Sequence, residues 1–342
     1  MSVRQSNGFP LSVSIQTDVG KVRSNNEDSH GDSWLNDDAL LVIVADGMGG
    51  HEAGEVASGL AVRVLKDVLG RDVSVDPRER LYNGLLEANQ AIIDEGQAAG
   101  SQGMGTTAIV GVFNGPQLFV GLIGDSRLYH FRQGQMLWRT LDHTRVQMLL
   151  EQGEISEEEA RNHPESGMLT RALGHARMAD GRPLVPDVLA EPLVLEPDDL
   201  LVLSTDGLHD LLEDWEIGQI ASGLAPEEAA TKLVAEALER GGHDNITVAV
   251  VACGATSAPY DSNFEPIAPE LDLEDADVEE TYDAFLSEEV AAVVQEAQAE
   301  LDDTPKSRGM MLGVVAMLMF VAVLLGLAAI AGLIILYIWM MG

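Results

Sequence analysis

The sequence predicts an α+β domain built on antiparallel sheet, followed by an acidic segment and one membrane-spanning helix. Short apolar runs typical of strands surround only two long helical patterns, at 54–69 and 77–93, so the helices are grouped between blocks of strands. The turn sequence Asn114-Gly115-Pro116 joins two of the runs as a hairpin, which requires antiparallel pairing. The last 34 residues contain no charged residue and no histidine.

Seven segments carry the β-branched, alternating or fully apolar patterns of strands. In chain order they are 12–18, 40–45, 107–114, 117–123, 127–132, 200–204 and 247–252. The second and the sixth are both followed by Asp-Gly, at Asp46-Gly47 and Asp206-Gly207. Two buried strands that end in this way could bring two carboxylates to one edge of a sandwich, although either pair alone is explained more simply as a turn.

Charge and cysteine content exclude several classes of function. The formal net charge of −36 argues against a nucleic-acid partner, because phosphates repel such a surface. Cys253 is the only cysteine, so the chain forms no internal disulfide and no thiol cluster for zinc. This cysteine usage is typical of a reducing compartment.

The C-terminal part divides into a linker and an anchor. Residues 254–308 contain 16 acidic and 2 basic residues, and few large apolar ones, which predicts a largely disordered juxtamembrane linker. Residues 309–342 exceed the roughly 20 apolar residues needed to cross a bilayer and predict one transmembrane helix. Lys306 and Arg308 precede this helix and favour a cytoplasmic position for the preceding domain, 1–253. We therefore expect a single-pass protein of the cell membrane.

Acidic residues collect at the predicted strand ends and loops, namely Glu27, Asp28, Asp46, Asp125, Asp206 and Asp244. Carboxylate oxygens suit Mg²⁺ and Mn²⁺, whereas the scarcity of histidine and cysteine disfavours zinc. Two ions about 4 Å apart could share Asp46 and activate a bridging water for attack on phosphorus. Arg23 lies four residues before Glu27 and could orient the phosphate, although a lone arginine is more often a surface residue.

A set of seven short motifs carries a resemblance to a known family. They are R-x-x-N-E-D at 23–28, A-D-G-M-G-G at 45–50, G-T-T at 105–107, G-D-S-R at 124–127, D-H-T at 142–144, T-D-G at 205–207 and D-N at 244–245. In this order and spacing, the chain resembles the bacterial type of PPM/PP2C metal-dependent protein phosphatases. The resemblance covers about residues 12–253.

The resemblance implies a four-layer α-β-β-α sandwich of two antiparallel sheets flanked by helices. It also implies an enzyme that hydrolyses phosphoserine and phosphothreonine in proteins. The enzyme would use two or three metal ions, either Mn²⁺ or Mg²⁺. Asp46 would bridge two ions, the Gly47 carbonyl would bind one of them, and Asp206 and Asp244 would bind the other.

Further roles follow from the same resemblance. Glu27 and Asp28 would lie in the water-mediated shell of the metals, and Arg23 would bind the substrate phosphate. Asp125, with Asp206, would hold a weaker third ion. Residues 144–174 are similar to the flap of bacterial relatives, which we expect to tune access of the substrate.

The sequence departs from the family at one position of interest. Animal members place a histidine, proposed as the general acid, after the Asp-Gly, but here that residue is Met48, so no general acid is assigned. Four histidines lie near motifs, and for each a structural role is the better interpretation; they are His51, His143, His209 and His243. For the G-T-T motif at 105–107 we favour a packing role over a role near the metals.

The sequence leaves open two alternatives to an active protein phosphatase. One is a pseudophosphatase or binding module recruited to the membrane, and the retention of Arg23, Asp46, Gly47, Asp206 and Asp244 argues against it. The other is a phosphatase of small phosphate esters, which would use the same chemistry. For the active enzyme, the expected partners are phosphorylated proteins and a Ser/Thr protein kinase that it opposes at the membrane.

Overall fold

A computed structural model describes residues 3–36, 38–49, 53–101, 103–160 and 163–264, apart from the side chain of Glu157. The predicted membrane helix at 309–342 and most of the predicted linker lie outside the described residues. Within the described ranges, no helix combines the length and the apolar character needed to span a membrane.

Strands and helices alternate in blocks, as the sequence predicts. The strands are β1 (Arg4–Ser6), β2 (Phe9–Asp18), β3 (Asp28–Trp34), β4 (Leu40–Met48), β5 (Gly105–Thr106), β6 (Ala108–Asn114), β7 (Gln117–Ile123), β8 (Arg127–Arg132), β9 (Gln135–Arg139), β10 (Asp187–Val188), β11 (Leu193–Val194), β12 (Leu200–Ser204) and β13 (Ile246–Ala252). The helices are α1 (Ala53–Arg71), α2 (Pro77–Ala99), α3 (Arg145–Glu151), α4 (Glu157–Ala160), α5 (Asp206–His209), α6 (Asp214–Ala221) and α7 (Pro226–Glu239).

The strands form two antiparallel sheets. The first has the order β1-β2-β13-β12-β8-β9, and the second has the order β10-β7-β6-β4-β3, with β11 paired to β7 and β5 paired to β4. The predicted hairpin is β6–β7, in which Asn114 lies opposite Gln117.

The two sheets pack face to face, and helices cover both outer faces. One core lies between the second sheet and the helices α1 and α2. A second core fills the space between the sheets, and a third lies between the first sheet and the helices α5, α6 and α7. This arrangement confirms the predicted four-layer α-β-β-α sandwich.

The alternation of side chains along β4 directs one carboxylate into the space between the sheets. Leu41 and Ile43 pack beneath α1 and α2, whereas Val42 and Val44 face the other sheet. Because successive side chains of a strand point to opposite faces, Asp46 continues the series of Val42 and Val44. It therefore lies at the end of the layer between the sheets.

The helices begin and end where local chemistry directs. The side chain of Asp76 accepts a hydrogen bond from the backbone N–H of Arg78 and caps α2, which has Pro77 at its start. Gly100 ends α2 in the left-handed conformation, with φ of 71°.

Several elements were not predicted, and β3 is the most consequential. Its sequence, DSHGDSW, is polar because β3 is an edge strand rather than a central one. Gly31 lies close beneath α1, since a Cβ added there would meet a methyl group of Val62 at 3.0 Å. The helices α6 and α7 also lie outside the two helical patterns recognised in the sequence.

The domain does not end at Cys253, where the boundary was predicted. Residues 254–264, the start of the predicted disordered linker, are joined to the sandwich by backbone hydrogen bonds. The N–H of Ala258 donates to Asp198 O at 2.9 Å, and the N–H of Asp261 donates to Gln133 O at 2.9 Å. These residues avoid disorder because the sandwich offers them backbone partners, which composition alone does not reveal.

Candidate active site

A cleft of about 1080 Å³ opens at one end of the layer between the sheets. Five acidic residues of the predicted site line it, and they are Glu27, Asp46, Asp125, Asp206 and Asp244. Arg23 and Gly47 line the same cleft. Asp28 lies buried beside them, with 8% of its surface exposed. The structure thus brings together every residue predicted for the site.

Strand pairing explains why distant carboxylates meet here. Asp28 lies directly opposite Asp46 in the antiparallel ladder of β3 and β4, so both side chains lie on one face. Asp206 lies two residues after β12, and Asp244 lies two residues before β13. Since β12 and β13 are antiparallel neighbours, the end of one adjoins the start of the other.

The backbone of Asp46 is fixed by two threonines. The Asp46 N–H donates to Thr107 Oγ1 at 2.9 Å, and the Asp46 carbonyl accepts from Thr106 Oγ1 and from the Thr107 N–H, each at 2.8 Å. Thr107 Oγ1 is also 2.6 Å from Ser126 Oγ. The G-T-T motif therefore supports Asp46 directly, and the packing role favoured from the sequence describes it incompletely.

The two glycines that follow the aspartates are required by close backbone contacts. A Cβ on Gly47 would overlap the carbonyl oxygen of Gly54, and one on Gly207 would overlap the carbonyl oxygen of Asn245. No other residue fits either position without moving the backbone.

The carboxyl groups at the floor of the cleft are buried close together and repel one another when they are charged. Burial, followed by repulsion from Asp206, Asp28 and Asp125, raises the pKa of Asp46 well above its usual range. Burial and the nearby Asp125 do the same to the pKa of Asp206. Burial raises the pKa of Asp28 to about 6, against hydrogen bonds from Thr247 and Thr205, and that of Asp125 to about 7. Four such groups favour a bound cation.

The donor atoms fit a hard divalent cation. Asp206 Oδ1 and Asp28 Oδ1 are buried and have no hydrogen-bond partner, so each keeps lone pairs that protein groups leave unused. Oxygen-only ligands of this kind are those preferred by Mn²⁺ and Mg²⁺.

The carboxylates are not arranged as a complete cage. Among the residues that the structure describes, no three His, Cys, Asp or Glu side chains form a ready metal site. Instead, the side chain of Asp46 shares a hydrogen bond with Asp206, and Asp244 accepts a hydrogen bond of 2.6 Å from Arg23. Ligation by Asp46, Asp206 and Asp244 therefore requires rotation of their side chains, and their individual roles stay predictions.

Arg23 belongs to a loop that Asn245 holds in place. The side-chain carbonyl of Asn245 accepts from the Glu27 N–H at 2.8 Å, and its amide donates to Val19 O and Asn25 O at 2.9 Å each. No role of its own was predicted for Asn245 from the sequence, although its position directly after Asp244 indicates that it lies at the site. The Arg23 side chain is 53% exposed, so it can reach a ligand in the cleft.

The predicted flap forms one wall of the cleft. Its root is tied to the site, since Leu173 and Thr106 exchange two backbone hydrogen bonds of 2.9 and 3.1 Å, and Thr106 lies beside Gly47 on β4. The wall extends beyond the predicted limit of residue 174 to Ala179. Three flap residues that sequence reasoning did not single out line the cleft, and they are Arg171, His175 and Arg177.

Among the histidines near motifs, His143 makes structural contacts. His143 Nδ1 accepts from the Gly124 N–H at 3.1 Å, and Nε2 donates to Asp187 at 2.9 Å. Burial, together with Arg127 and Arg139, lowers the pKa of His209 well below its usual range. His51 lies outside the described residues.

Comparison with known proteins finds phosphatases that are similar to this chain. The model of the family "Protein phosphatase 2C" matches residues 16–246. Serine/threonine phosphatase stp of Listeria monocytogenes serotype 4b (strain F2365) is 35% identical over 259 residues, which cover 74% of this chain and 100% of the relative.

Solved structures of phosphatases are also similar. The Mycobacterium tuberculosis serine/threonine phosphatase PstP/Ppp is 35% identical, with a TM-score of 0.64 and coverage of 71% of this chain and 99% of that one. The catalytic domain of PstP in complex with two manganese ions is 34% identical, with a TM-score of 0.61 and coverage of 71% and 97%. The match of the family model, the identity to these relatives and the shared fold show that the chain belongs to the protein phosphatase 2C family.

Proposed function

We propose that this chain hydrolyses phosphoserine and phosphothreonine in proteins with the help of Mn²⁺ or Mg²⁺ ions, and that it does so at a membrane. Relatives over 70% or more of the chain are named serine/threonine phosphatases, and one is solved with two manganese ions. The observation that carries the proposal is the meeting of Asp46 and Asp206 in one cleft with Asp28 buried beside them, and with two buried carboxylate oxygens that have no protein partner.

The chain's own residues would hold the metals and orient the substrate. Asp46, Asp206, Asp244 and the Gly47 carbonyl would bind the ions, while Asp28 and Asp125 add negative charge around them. Bound Mn²⁺ or Mg²⁺ supplies Lewis-acid activation of water and neutralisation of the phosphate charge.

Arg23 would exchange its partner when substrate binds. Asp244 would then ligate a cation instead of pairing with Arg23, which would leave the guanidinium of Arg23 free to turn into the cleft. A phosphate is a strong bidentate partner for such a group. Asn245 holds the loop that carries Arg23 through three hydrogen bonds, so only the side chain of Arg23 would need to move.

The test is phosphate release from a phosphothreonine peptide by the full-length chain in detergent, with and without Mn²⁺. We expect Asp46→Ala and Asp206→Ala to abolish the Mn²⁺-dependent rate, while Asp72→Ala, a change at an exposed turn remote from the cleft, leaves it intact. Equal rates in the alanine variants, or full activity in excess chelator, would refute the mechanism.

The same assay separates the alternatives. A pseudophosphatase would bind the phosphopeptide without releasing phosphate. A phosphatase of small esters would hydrolyse p-nitrophenyl phosphate but leave phosphopeptides intact. The paired walls of the cleft, formed by the loop of Arg23 and by the flap, favour a peptide as the substrate.

Residues 309–342 would anchor the enzyme as a single transmembrane helix, with the phosphatase domain facing the cytoplasm. The support is the 34-residue stretch without charge and the two basic residues before it. There it would oppose a Ser/Thr protein kinase of the same membrane. Deleting 309–342 should move the protein from the carbonate-washed membrane fraction to the supernatant, and retention in the membrane fraction would contradict the anchor.

A further inference from the structure

The cleft has an acidic floor and a basic wall. Three arginines line it, Arg23 from the N-terminal loop and Arg171 and Arg177 from the flap. They stand out in a chain with 20 basic and 56 acidic residues. The contacts of each guanidinium group indicate the role of that arginine.

Two of the three arginines are already paired with carboxylates. Arg23 donates to Asp244 at 2.6 Å, and Arg171 forms a short hydrogen bond with Asp187, which also accepts from His143. The pair of Arg171 and Asp187 joins the flap to β10 and serves to hold the flap in place.

Arg177 differs from them because it has no carboxylate partner among the described residues. Its side chain donates only to the carbonyl of Gly181, at 2.7 Å, and it is exposed. A cation that faces a substrate cleft without a counter-ion can bind an anionic group of the ligand.

The segment that carries Arg177 is ordered, so the guanidinium has a defined place. Residues 176–184 form a small hairpin, in which the Met178 N–H donates to Arg182 O at 2.8 Å and the Leu184 N–H donates to Ala176 O at 3.3 Å. Leu184, with 6% of its surface exposed, and Met178 pack against the core beneath α1 and α2.

We propose that Arg177 selects phosphopeptides that carry a second anionic group, a carboxylate or a second phosphate, close to the phosphorylated residue. The proposal rests on the phosphatase activity proposed above. The scissile phosphate lies over the acidic floor beside Arg23, and the peptide beside it passes along the flap wall. A residue of extended peptide advances about 3.3 Å, so a side chain a few residues away reaches this wall.

A carboxylate on the same lining adds to the selection. Glu55, near the start of α1, also lines the cleft and accepts a hydrogen bond from Asn25 at 3.2 Å. An anionic side chain of the peptide is therefore repelled by Glu55 and attracted by Arg177.

The test compares matched phosphothreonine peptides with the full-length chain and Mn²⁺. In one series a single flanking residue, placed two to four positions to either side, is Glu, Gln or Lys, and in another it is a second phosphothreonine. We expect kcat/KM to be about fivefold higher for Glu than for Gln at the best position, as one exposed ion pair allows. The second series shows whether the preferred anion is a carboxylate or a phosphate.

Variants assign the preference to one residue. Arg177→Gln should reduce the Glu-to-Gln ratio to about 1, Arg177→Lys should restore part of it, and Arg177→Glu should shift the preference to Lys. Arg182→Gln is the matched control, because Arg182 lies in the same hairpin but pairs with Asp180 at 2.7 Å and does not line the cleft. It should keep the wild-type ratio.

The outcomes separate this inference from the proposed function. If the wild type hydrolyses all peptides equally, or if Arg177→Gln keeps the full ratio, the selection by Arg177 is wrong and the phosphatase activity stands. If no phosphopeptide is hydrolysed, both fail together.

Discussion

Replacing Asp28 by asparagine tests whether the acidic floor destabilises the fold when no cation is bound. Asp28 is buried, and its Oδ2 accepts hydrogen bonds from Thr247 at 2.6 Å and from Thr205 at 3.0 Å, while Oδ1 has no partner. Asparagine keeps an acceptor for both hydroxyl groups and removes the charge. The amide N–H groups of asparagine replace Oδ1, which has no partner, and their cost does not depend on pH. The pH dependence of the difference between the variant and the wild type therefore isolates the cost of the buried carboxylate.

The pKa of Asp28 determines the magnitude and the sign of the effect on the free energy of unfolding. Burial raises the pKa of Asp28 from 3.8 to about 6 in the folded chain, so between these values the folded state holds a proton that the unfolded state has lost. The stability that this proton contributes is complete below pH 3.8 and is lost as the pH rises through about 6. The gap corresponds to about 3 kcal/mol at about 1.4 kcal/mol for each pH unit.

The assay is urea denaturation of the cation-stripped protein, followed by circular dichroism at pH 5 and pH 8. The isoelectric point of about 4.3 makes lower pH unsuitable, because an uncharged protein precipitates. From pH 5 to pH 8, the free energy of unfolding of Asp28→Asn minus that of the wild type should rise by about 1.4 kcal/mol.

A matched change at Asp32, an exposed carboxylate on the same strand, should show no such rise. Added Mn²⁺ should stabilise the wild type more than Asp28→Asn. A difference that stays constant between pH 5 and pH 8, or an equal rise in Asp32→Asn, would contradict a raised pKa of Asp28 in the folded chain.

Three further changes have definite expected results. Thr107→Val removes the acceptor for the N–H of Asp46, so we expect about a tenfold lower kcat/KM on phosphopeptides and a Tm lower by several degrees, measured by phosphate release and calorimetry. Asp199→Asn should lower the free energy of unfolding by about 3 kcal/mol at pH 7, in urea titrations, because hydrogen bonds from arginine and histidine outweigh burial and hold the pKa of this carboxyl below its usual range; the stability from this carboxylate is complete above the unfolded pKa of 3.8 and is lost only as the pH falls through the lower pKa of the folded chain. Gly207→Ala should destabilise the fold by more than about 2 kcal/mol, since its Cβ overlaps a backbone carbonyl, whereas Gly70→Ala, with open space around it, should not.

The sequence was sufficient to predict those elements whose structure is determined by a local pattern of residues. The apolar strands that lead to Asp46 and Asp206 were recognised because fully buried strands are continuous apolar runs, and in both cases Asp-Gly lies close to the strand end. The hairpin β6–β7 was recognised from its turn residues. In both cases the information lies within about ten residues of chain.

Other features depend on contacts between distant residues and could not be predicted. Asp28 receives hydrogen bonds from Thr205 and Thr247, which lie 177 and 219 residues away. β3 is a strand because β4 offers it a partner, although its polar sequence resembles a loop. The hydrogen bonds of Asn245 and the place of Arg177 on the flap wall likewise exist only after the sheets have packed.

Cation binding to the acidic floor explains how a domain with four buried, mutually repelling carboxylates can be stable. Asp28, Asp46, Asp125 and Asp206 each have a raised pKa, so each opposes folding when it is charged and lacks a cation. A cation that binds only the folded chain stabilises it by an amount that grows with the logarithm of its concentration over the Kd. The same carboxylates that weaken the cation-free fold therefore provide the affinity for the metals. A substitution that relieves the strain, such as Asp28→Asn, should gain stability without cations and lose metal affinity, so these two quantities should change in opposite directions across the site.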